Sequence, residues 1–146
     1  MENIDIQIVE YNSIFQKKSI ELRYKVLREP LGLVYTAAQL ADEKDEIHII
    51  ALQNHVVIGV VVLKKIGNKR LKMRQVAVDE QHQKSGIGKK MVIFSEEYAK
   101  QHGFGTIELH ARDAAIDFYL KLNYHIVGDL FIEVGIPHYE MKKVLQ

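Results

Sequence analysis

The sequence predicts a single domain of the α+β, or mixed α/β, class, spanning residues 1–146. Two observations support this prediction. The chain is about as long as one ordinary domain, and it contains no repeat or linker-like segment. Its apolar residues also change period along the chain, alternating in some segments and recurring at helical spacing in others. The predicted order of elements is β-α-(α)-β-β-β-α-β-α-β-β.

The first third of the chain predicts one strand and one helix. Alternating isoleucines near the N-terminus are typical of a half-buried strand. The helix that follows begins at Ser13, a residue type that commonly caps helices, and is ended by Pro30 and Gly32. An irregular segment with an acidic end comes next. The predicted bounds are 4–8 for the strand, 13–28 for the helix and 31–46 for the irregular segment.

The centre of the chain predicts an antiparallel meander, because three apolar segments follow one another with only short turns between them. The middle segment is almost entirely apolar, which indicates a strand buried on both faces. A long amphipathic helix, ended by Gly103, precedes a strand, a short helix and two further strands. Strands are predicted at 47–52, 56–63, 69–78, 104–110, 124–132 and 138–144, helices at 86–102 and 113–122, and turns at 53–55 and 67–68.

Composition excludes several classes of function. The 20 basic and 19 acidic residues leave a net charge of +1, which argues against nucleic acid as a partner. The absence of cysteine excludes disulfides, thiolate metal sites and a cysteine nucleophile. Residues 1–5 lack the features of a secretory signal, and no apolar run is long enough to cross a membrane. A soluble cytoplasmic protein with no membrane partner and no metal is therefore predicted.

The most informative segment is a glycine-containing loop between a predicted strand and the long helix. Gly86 and Gly88 open the helix, and Lys84, Lys89 and Lys90 add positive charge. Amides at a helix start favour an anion, and glycine lets a ligand approach the backbone closely. The loop therefore predicts a pyrophosphate-sized site. It matches neither a Walker P-loop nor the dinucleotide-binding fingerprint. If only the two glycines are considered, a glycine-rich turn without a ligand is as good an interpretation as an anion site.

Two longer motifs resemble those of the GNAT (GCN5-related) N-acetyltransferases. The string Gln83-Lys84-Ser85-Gly86-Ile87-Gly88 matches their Gln/Arg-x-x-Gly-x-Gly/Ala motif, and Val76-Ala77-Val78 before it resembles their fourth strand. Residues 115–124 resemble their second signature, Ala-x-x-x-Tyr-x-x-x-Gly-Phe, with Asn123 in place of the glycine. Asparagine tolerates left-handed backbone angles, so the turn can survive. The resemblance covers nearly the whole chain and implies a central, mostly antiparallel, twisted sheet flanked by helices.

The resemblance implies acetyl-CoA as co-substrate and no metal. The pyrophosphate is expected on the backbone amides of residues 84–89, and the pantetheine arm beside the edge of the fourth strand. The implied cofactor-binding residues are Val76, Ala77, Val78, Gln83, Lys84, Ser85, Gly86, Ile87, Gly88 and Lys89.

Acetyl transfer to an amine needs a base for the amine and an acid for the departing thiolate. Tyr119 matches the family's tyrosine near the CoA sulfur, and a phenol with a pKa of about 10 can protonate a thiolate. Without the resemblance, Tyr119 would be interpreted as an aromatic residue packed between helix and sheet. The fourth strand lacks the glutamate that many relatives place there, so another base or a water relay is needed. His138, before the last strand, is the predicted base, and His110, where substrates bind in this fold, is the alternative.

A narrower resemblance, to the small bacterial branch that includes the glyphosate-type N-acetyltransferases, concerns the acceptor. It implies Arg23, Arg74 and Arg112 as a clamp for an anionic acceptor, with His138 as base, because a guanidinium binds carboxylate or phosphonate with two hydrogen bonds. Arg28 is a further candidate. Each arginine also has an alternative interpretation. Arg23 could lie on a solvated helix face, Arg74 could form an ion pair, and Arg112 could cap or pair locally or contact CoA. The motifs that carry this resemblance are Glu21-Leu22-Arg23, Met73-Arg74-Gln75, Ala111-Arg112 and Gly135-Ile136-Pro137-His138.

The predicted function is direct transfer of an acetyl group from acetyl-CoA to the amine of a small, anionic metabolite, within a ternary complex. Two alternatives remain open. Acetylation of a protein lysine or N-terminus would use the acidic end of residues 31–46 to attract a basic peptide. An acyl-CoA-binding sensor without turnover would explain the missing strand carboxylate. The resemblance also leaves a homodimer open as the oligomeric state.

Overall fold

A computed structural model describes residues 3–146. Met1 and Glu2, part of the segment from which the absence of a secretory signal was predicted, lie outside the described residues. The predicted order of elements is confirmed, including the short second helix. The elements are β1 Asp5–Val9, α1 Ile14–Arg23, α2 Ala37–Ala41, β2 Ile47–Gln53, β3 Val56–Gly67, β4 Arg70–Val78, α3 Ile87–Gln101, β5 Thr106–Arg112, α4 Ile116–Lys121, β6 His125–Glu133 and β7 Ile136–Val144.

The strands form one mixed sheet in the order β1-β2-β3-β4-β5-β7-β6. Strands β4 and β5 run parallel, while the β1/β2, β2/β3, β5/β7 and β6/β7 pairs are antiparallel. This mostly antiparallel sheet with helices is the predicted fold class, which is therefore confirmed. No helix in residues 3–146 is both long and apolar enough to span a membrane.

The chain divides into two compact units, and unit 1 comprises the described residues up to Lys64 together with Gln75–Ser95. Its core is a cluster of buried apolar residues on α1 and on strands β2 to β4. Ser13 caps α1 as predicted, because its side chain accepts a hydrogen bond from the Gln16 amide. Gly32, with φ of 69°, ends the helical region. The core residues are Leu22, Ile50, Leu52, Val57, Val60, Val62 and Ala77, with Val9, Phe15, Val26 and Leu27 packed against them.

Unit 1 differs from prediction in two segments. The predicted helix over 13–28 is α-helical only to Arg23 and continues as a π-helical turn, Tyr24–Arg28. The segment over 31–46 was predicted to be irregular, yet it contains α2. A capping box stabilises the start of α2: the Thr36 and Gln39 side chains each accept a hydrogen bond from the other residue's backbone amide. A helix of one and a half turns has too few residues to show apolar periodicity, so the predicted order included a second helix but the pattern gave it no bounds.

Unit 2 comprises Lys65–Arg74 and Glu96–Gln146. Its buried apolar residues come from one face of β5, from α3, α4, β4 and β7, and from the residue that precedes β6. An Arg70–Glu108 ion pair joins β4 to β5, with Nε–Oε2 at 2.7 Å. This pairing holds the pKa of the Glu108 carboxyl below its usual value, chiefly through the hydrogen bonds from Arg70. Its buried apolar side chains are Leu71, Met73, Ala99, Ile107, Leu109, Ala111, Tyr119, Tyr124 and Met141.

Several boundaries in unit 2 lie one or two residues from prediction. The turn before β4 is at residues 68–69, where Lys69 has φ of 59°, and not at 67–68. Strand β5 continues to Arg112, so His110 does not end it. The predicted helix over 113–122 is a 3₁₀ turn followed by α4. Asn123 has φ of 71°, which confirms that asparagine supplies the left-handed turn there.

Candidate active site

The loop before α3, in unit 1, is held by hydrogen bonds that do not use its last amides. The Asp79 side chain accepts from the Gln81 amide at 3.0 Å, and the Gln83 side chain donates to the Val78 carbonyl at 3.0 Å. The Ser85 hydroxyl donates to the His82 carbonyl. The serine and glutamine of the predicted motif therefore shape the loop through their side chains.

The backbone on both sides of Ser85 adopts left-handed angles. Lys84 and Gly86 both have left-handed φ, at 66° and 87°, which turns successive N–H groups towards one side. The Lys90 amide donates to the Gly86 carbonyl at 3.0 Å, so the amides of residues 87–89 precede this first turn of hydrogen bonds. A Cβ on Gly86 would meet nothing within 4 Å. The first turn of α3 contains no acidic residue, so the site suits an anion.

Only the first half of strand β4 pairs with β5. Its parallel ladder with β5 runs from Arg70 to Met73. Gln75 then has φ of 54°, which breaks the regular strand geometry, although the strand itself continues through residues 76–78. The Tyr35 hydroxyl donates to Gln75 Oε1 at 2.6 Å and ties the break to the segment before α2. Strand residues beyond such a break can pair with an extended ligand.

Arg23, a predicted acceptor-binding residue, lies in a buried ion pair within unit 1. Its Nη1 and Nη2 donate to Glu43 Oε1 and Oε2 at 2.8 and 2.5 Å, and the Arg23 side chain is fully buried. Burial lowers the pKa of Arg23, but the hydrogen bonds and the charge of Glu43 outweigh burial and leave the pKa raised. Because Glu43 occupies both terminal nitrogens, this geometry argues against the predicted role of Arg23.

Arg28 lies near Arg23 but is bound differently. Both guanidinium groups stack on the Tyr35 ring, at 4.7 Å for Arg23 and 4.6 Å for Arg28. Arg28 is half-buried and lies in the π-helical turn. Stacking fixes its guanidinium plane and leaves the N–H groups at the edge of that plane available for an anion.

The two candidate bases of unit 2 lie on either side of Glu133. His138 is buried, and its Nδ1 donates to the Ile136 carbonyl at 2.8 Å. A carbonyl can only accept, so Nδ1 carries the proton and Nε2 of the neutral ring has the lone pair. Glu133 Oε2 lies 3.7 Å from His138 Nε2, and Glu133 Oε1 lies 3.0 Å from His110 Nδ1. The Phe131 ring packs against both imidazoles.

Sequence reasoning missed Glu133. The predicted strand ended one residue before it, at Ile132, which placed Glu133 in a turn. Strand β6 in fact includes Glu133, and the ladder pairs Phe131 with His138 and Glu133 with Ile136. A predicted two-residue hairpin turn at Val134 and Gly135, both of which have positive φ, would have placed this carboxylate beside His138.

Arg74, Arg112 and Tyr119 also belong to unit 2. Arg74 follows the last β4 residue that pairs with β5, and Arg112 lies directly opposite His138 in the β5/β7 ladder. Tyr119 is buried, and its ring packs edge-on against Phe118. Burial raises the pKa of Tyr119, which keeps the phenol protonated and makes it a weaker acid than a phenol in water.

The described residues bring two sets of predicted groups together. Unit 1 joins the β4 residues 76–78 to the loop and the first turn of α3. Unit 2 joins His110 to His138 through Glu133. No group of three or more histidines and carboxylates with metal-binding geometry occurs in residues 3–146.

Known acetyltransferases resemble this chain over most of its length. Residues 11–124 match the model of the acetyltransferase (GNAT) family. A Bacillus subtilis (strain 168) protein that bears a provisional acetyltransferase name is 29% identical over 133 residues, or 86% of each chain. A crystal structure from Lactobacillus plantarum, provisionally named an N-acetyltransferase, has a TM-score of 0.86 at 22% identity and covers 98% of this chain and 99% of its own. An aminoglycoside 6'-N-acetyltransferase complexed with coenzyme A has a TM-score of 0.81 at 16% identity, over 96% of each chain.

The fold and the family match define this protein as an acetyltransferase that uses an acyl-CoA donor. The chain belongs to the acetyltransferase (GNAT) family. The GNAT fold binds coenzyme A, and the amides, the open glycine and the lysines of the loop described above suit a pyrophosphate. The narrower resemblance to the glyphosate-type branch stays a prediction.

Proposed function

We propose that this chain transfers the acetyl group of acetyl-CoA directly to the amine of a small acceptor that also carries an anionic group. The observation that carries this proposal is the fixed tautomer of His138, a buried imidazole whose Nε2 is left as a proton acceptor. Direct transfer in a ternary complex fits a chain that has no cysteine to form an acyl-enzyme.

Each group in the proposal has a separate role. Acetyl-CoA, when bound, supplies the thioester carbonyl and the thiolate leaving group. The amides of residues 84–89 and the lysines beside them hold its pyrophosphate, and residues 76–78 align its pantetheine arm. His138 Nε2 takes a proton from the acceptor amine. Tyr119, kept protonated by burial, donates a hydrogen bond to the departing sulfur; its raised pKa favours this role over complete proton transfer.

The anionic part of the acceptor is assigned to Arg28, while the roles of Arg74 and Arg112 in binding the acceptor stay predictions. Arg23 is left out because its two terminal nitrogens are bound to Glu43. Arg28 replaces it because the stacking on Tyr35 orients its guanidinium without a carboxylate contact among its described interactions. A planar guanidinium binds a carboxylate or phosphonate through two parallel hydrogen bonds.

Replacing Gly86 with alanine is expected to weaken acetyl-CoA binding by about tenfold, the effect of losing roughly one hydrogen bond to a charged group. The new Cβ would occupy the open space beside the loop amides. Gly103→Ala is the matched control, because Gly103 has φ of 81°, ends the same helix and also faces open space. Isothermal titration with acetyl-CoA measures both variants. Equal losses in both would show that backbone strain, and not the loop, causes the effect.

A thiol-release assay with acetyl-CoA tests the proposed function over matched amines with and without a carboxylate, phosphate or phosphonate. We expect turnover of anionic amines, and an increase of at least about tenfold in their KM for Arg28→Ala, from a lost bidentate contact. Lys25→Ala, on the same π-helical turn, is the control and is expected to behave as wild type. Binding of acetyl-CoA without turnover of any amine would instead support a sensor, and preference for peptides would support a protein acetyltransferase.

A further inference from the structure

A carboxylate lies between His110 and His138 in unit 2. Glu133 ends β6, and its two oxygens face His110 Nδ1 at 3.0 Å and His138 Nε2 at 3.7 Å. The Glu133 side chain keeps 45% of its exposure, whereas that of His138 keeps 4%. The carboxylate is therefore the part of this cluster that a ligand from solvent reaches most readily.

The protons of the cluster can be assigned from its contacts. An ionised carboxylate only accepts, so His110 Nδ1 donates to Glu133 Oε1. Lys72 Nζ also approaches His110 Nδ1, but at 3.5 Å, and the shorter contact to Glu133 takes precedence. His138 Nδ1 donates to the Ile136 carbonyl, which leaves Nε2 as an acceptor. Glu133 Oε2 and His138 Nε2 are thus two acceptors facing each other.

Two acceptors 3.7 Å apart cannot form a hydrogen bond with each other. A ligand with several N–H groups can donate a hydrogen bond to each of them. A primary ammonium has three such groups and a positive charge that complements the carboxylate. Phe131 adds an aromatic surface beside both imidazoles, with ring-centroid distances of 5.0 Å to His110 and 5.9 Å to His138. Aromatic rings attract cations that lie within about 6 Å of the ring centroid. A carboxylate, a lone pair and an aromatic ring together suit an alkylammonium ion.

We propose that Glu133 determines acceptor specificity by binding the acceptor as an ammonium ion between its Oε2 and His138 Nε2. This inference rests on the proposed function and narrows it to strongly basic alkylamines, which are protonated at neutral pH, over weakly basic arylamines. One N–H bond of the ammonium breaks, and its proton forms a new bond to His138 Nε2. The amine nitrogen keeps the electron pair for attack on the thioester, and the negative charge of Glu133 stabilises the resulting imidazolium.

Binding of methylammonium to the protein without acetyl-CoA tests this site. Side-chain ¹H–¹⁵N spectra of histidine-labelled protein are recorded against methylammonium chloride, with sodium chloride at the same ionic strength as the reference. We expect saturable shifts of the His138 ring nitrogens in the wild type. Glu133→Gln, which keeps the shape and an acceptor for His110, is expected to weaken binding at least about tenfold by losing a charge-assisted hydrogen bond. Glu97→Gln, which removes an exposed carboxylate on α3, is expected to bind as wild type.

The outcomes separate this inference from the proposed function. The inference is overturned if methylammonium chloride shifts the His138 ring nitrogens no more than sodium chloride does. It is also overturned if the Glu133→Gln variant binds methylammonium as tightly as the wild type does. A His138 ring that already carries both protons and ignores methylammonium also overturns it. Methylammonium binding lost in Glu133→Gln supports the site even if thiol release from acetyl-CoA fails, in which case only the proposed transfer activity is wrong.

Discussion

Replacing His138 with alanine is expected to lower kcat by about 10²–10⁴-fold, the usual contribution of a positioned general base. KM for acetyl-CoA should change little, because the imidazole is assigned to the acceptor amine and not to the cofactor. The reason is geometric. The Ile136 carbonyl takes the Nδ1 proton, so Nε2 is the only proton acceptor that the neutral ring retains. Steady-state thiol release, measured separately against each substrate, provides the two parameters.

Two further variants test whether the loss of kcat in His138→Ala comes from loss of the base. His138 is buried, so the alanine variant leaves a cavity, and His138→Gln provides a second substitution of similar size. His125→Ala removes an exposed histidine from β6 and should leave kcat unchanged. Loss of kcat in His110→Ala, with wild-type kcat in both His138 variants, would instead assign the base to His110. Thermal unfolding of each variant confirms that the compared proteins are folded.

Replacing Arg23 with methionine is expected to lower the free energy of unfolding by about 3–5 kcal/mol, since it leaves the Glu43 carboxylate buried without its partner. Both side chains are almost completely buried, so water cannot replace the lost contact. Changing both residues, as Arg23→Met with Glu43→Leu, should recover much of the loss, because a well-packed apolar pair can replace a buried ion pair. Urea unfolding measures all three free energies.

The matched control lies on the same helix. Lys18 and Glu21 form an exposed pair at 3.5 Å, and Lys18→Met is expected to cost less than about 0.5 kcal/mol. An equally small cost for Arg23→Met would contradict the structural role of the ion pair. If folded Arg23→Met protein raised KM for anionic amines while Arg28→Ala did not, the original prediction for Arg23 would replace the present one.

The cofactor loop shows what local sequence can determine. Its glycines, lysines and helix start lie next to one another in the chain, so their backbone angles and charges follow from short-range rules. Gly86 and Lys84 adopt left-handed angles, and Asn123 does so in the second motif, because local sterics select those conformations. The same local character allowed the element order to be predicted from apolar periodicity.

Arg23 and Glu133 show where such reasoning ends. Arg23 and Arg28 lie five residues apart on one helical region, and their sequence does not reveal which of them meets a carboxylate. The partner, Glu43, lies 20 residues away, and only packing of the chain makes the pair buried and bidentate. Glu133 is separated from His110 by 23 residues, so strand pairing alone decides that its carboxylate lies between two imidazoles.

By itself, the sequence determined the order of elements, the loop that suits a pyrophosphate and the histidine near the start of the last strand, since each depends on neighbours within a few residues. The tertiary structure decided that Glu43 binds Arg23, which proton His138 retains and which carboxylate faces its Nε2. These properties depend on hydrogen-bond partners distant in the chain or on the path of the backbone around a turn, and apolar periodicity carries no information about either.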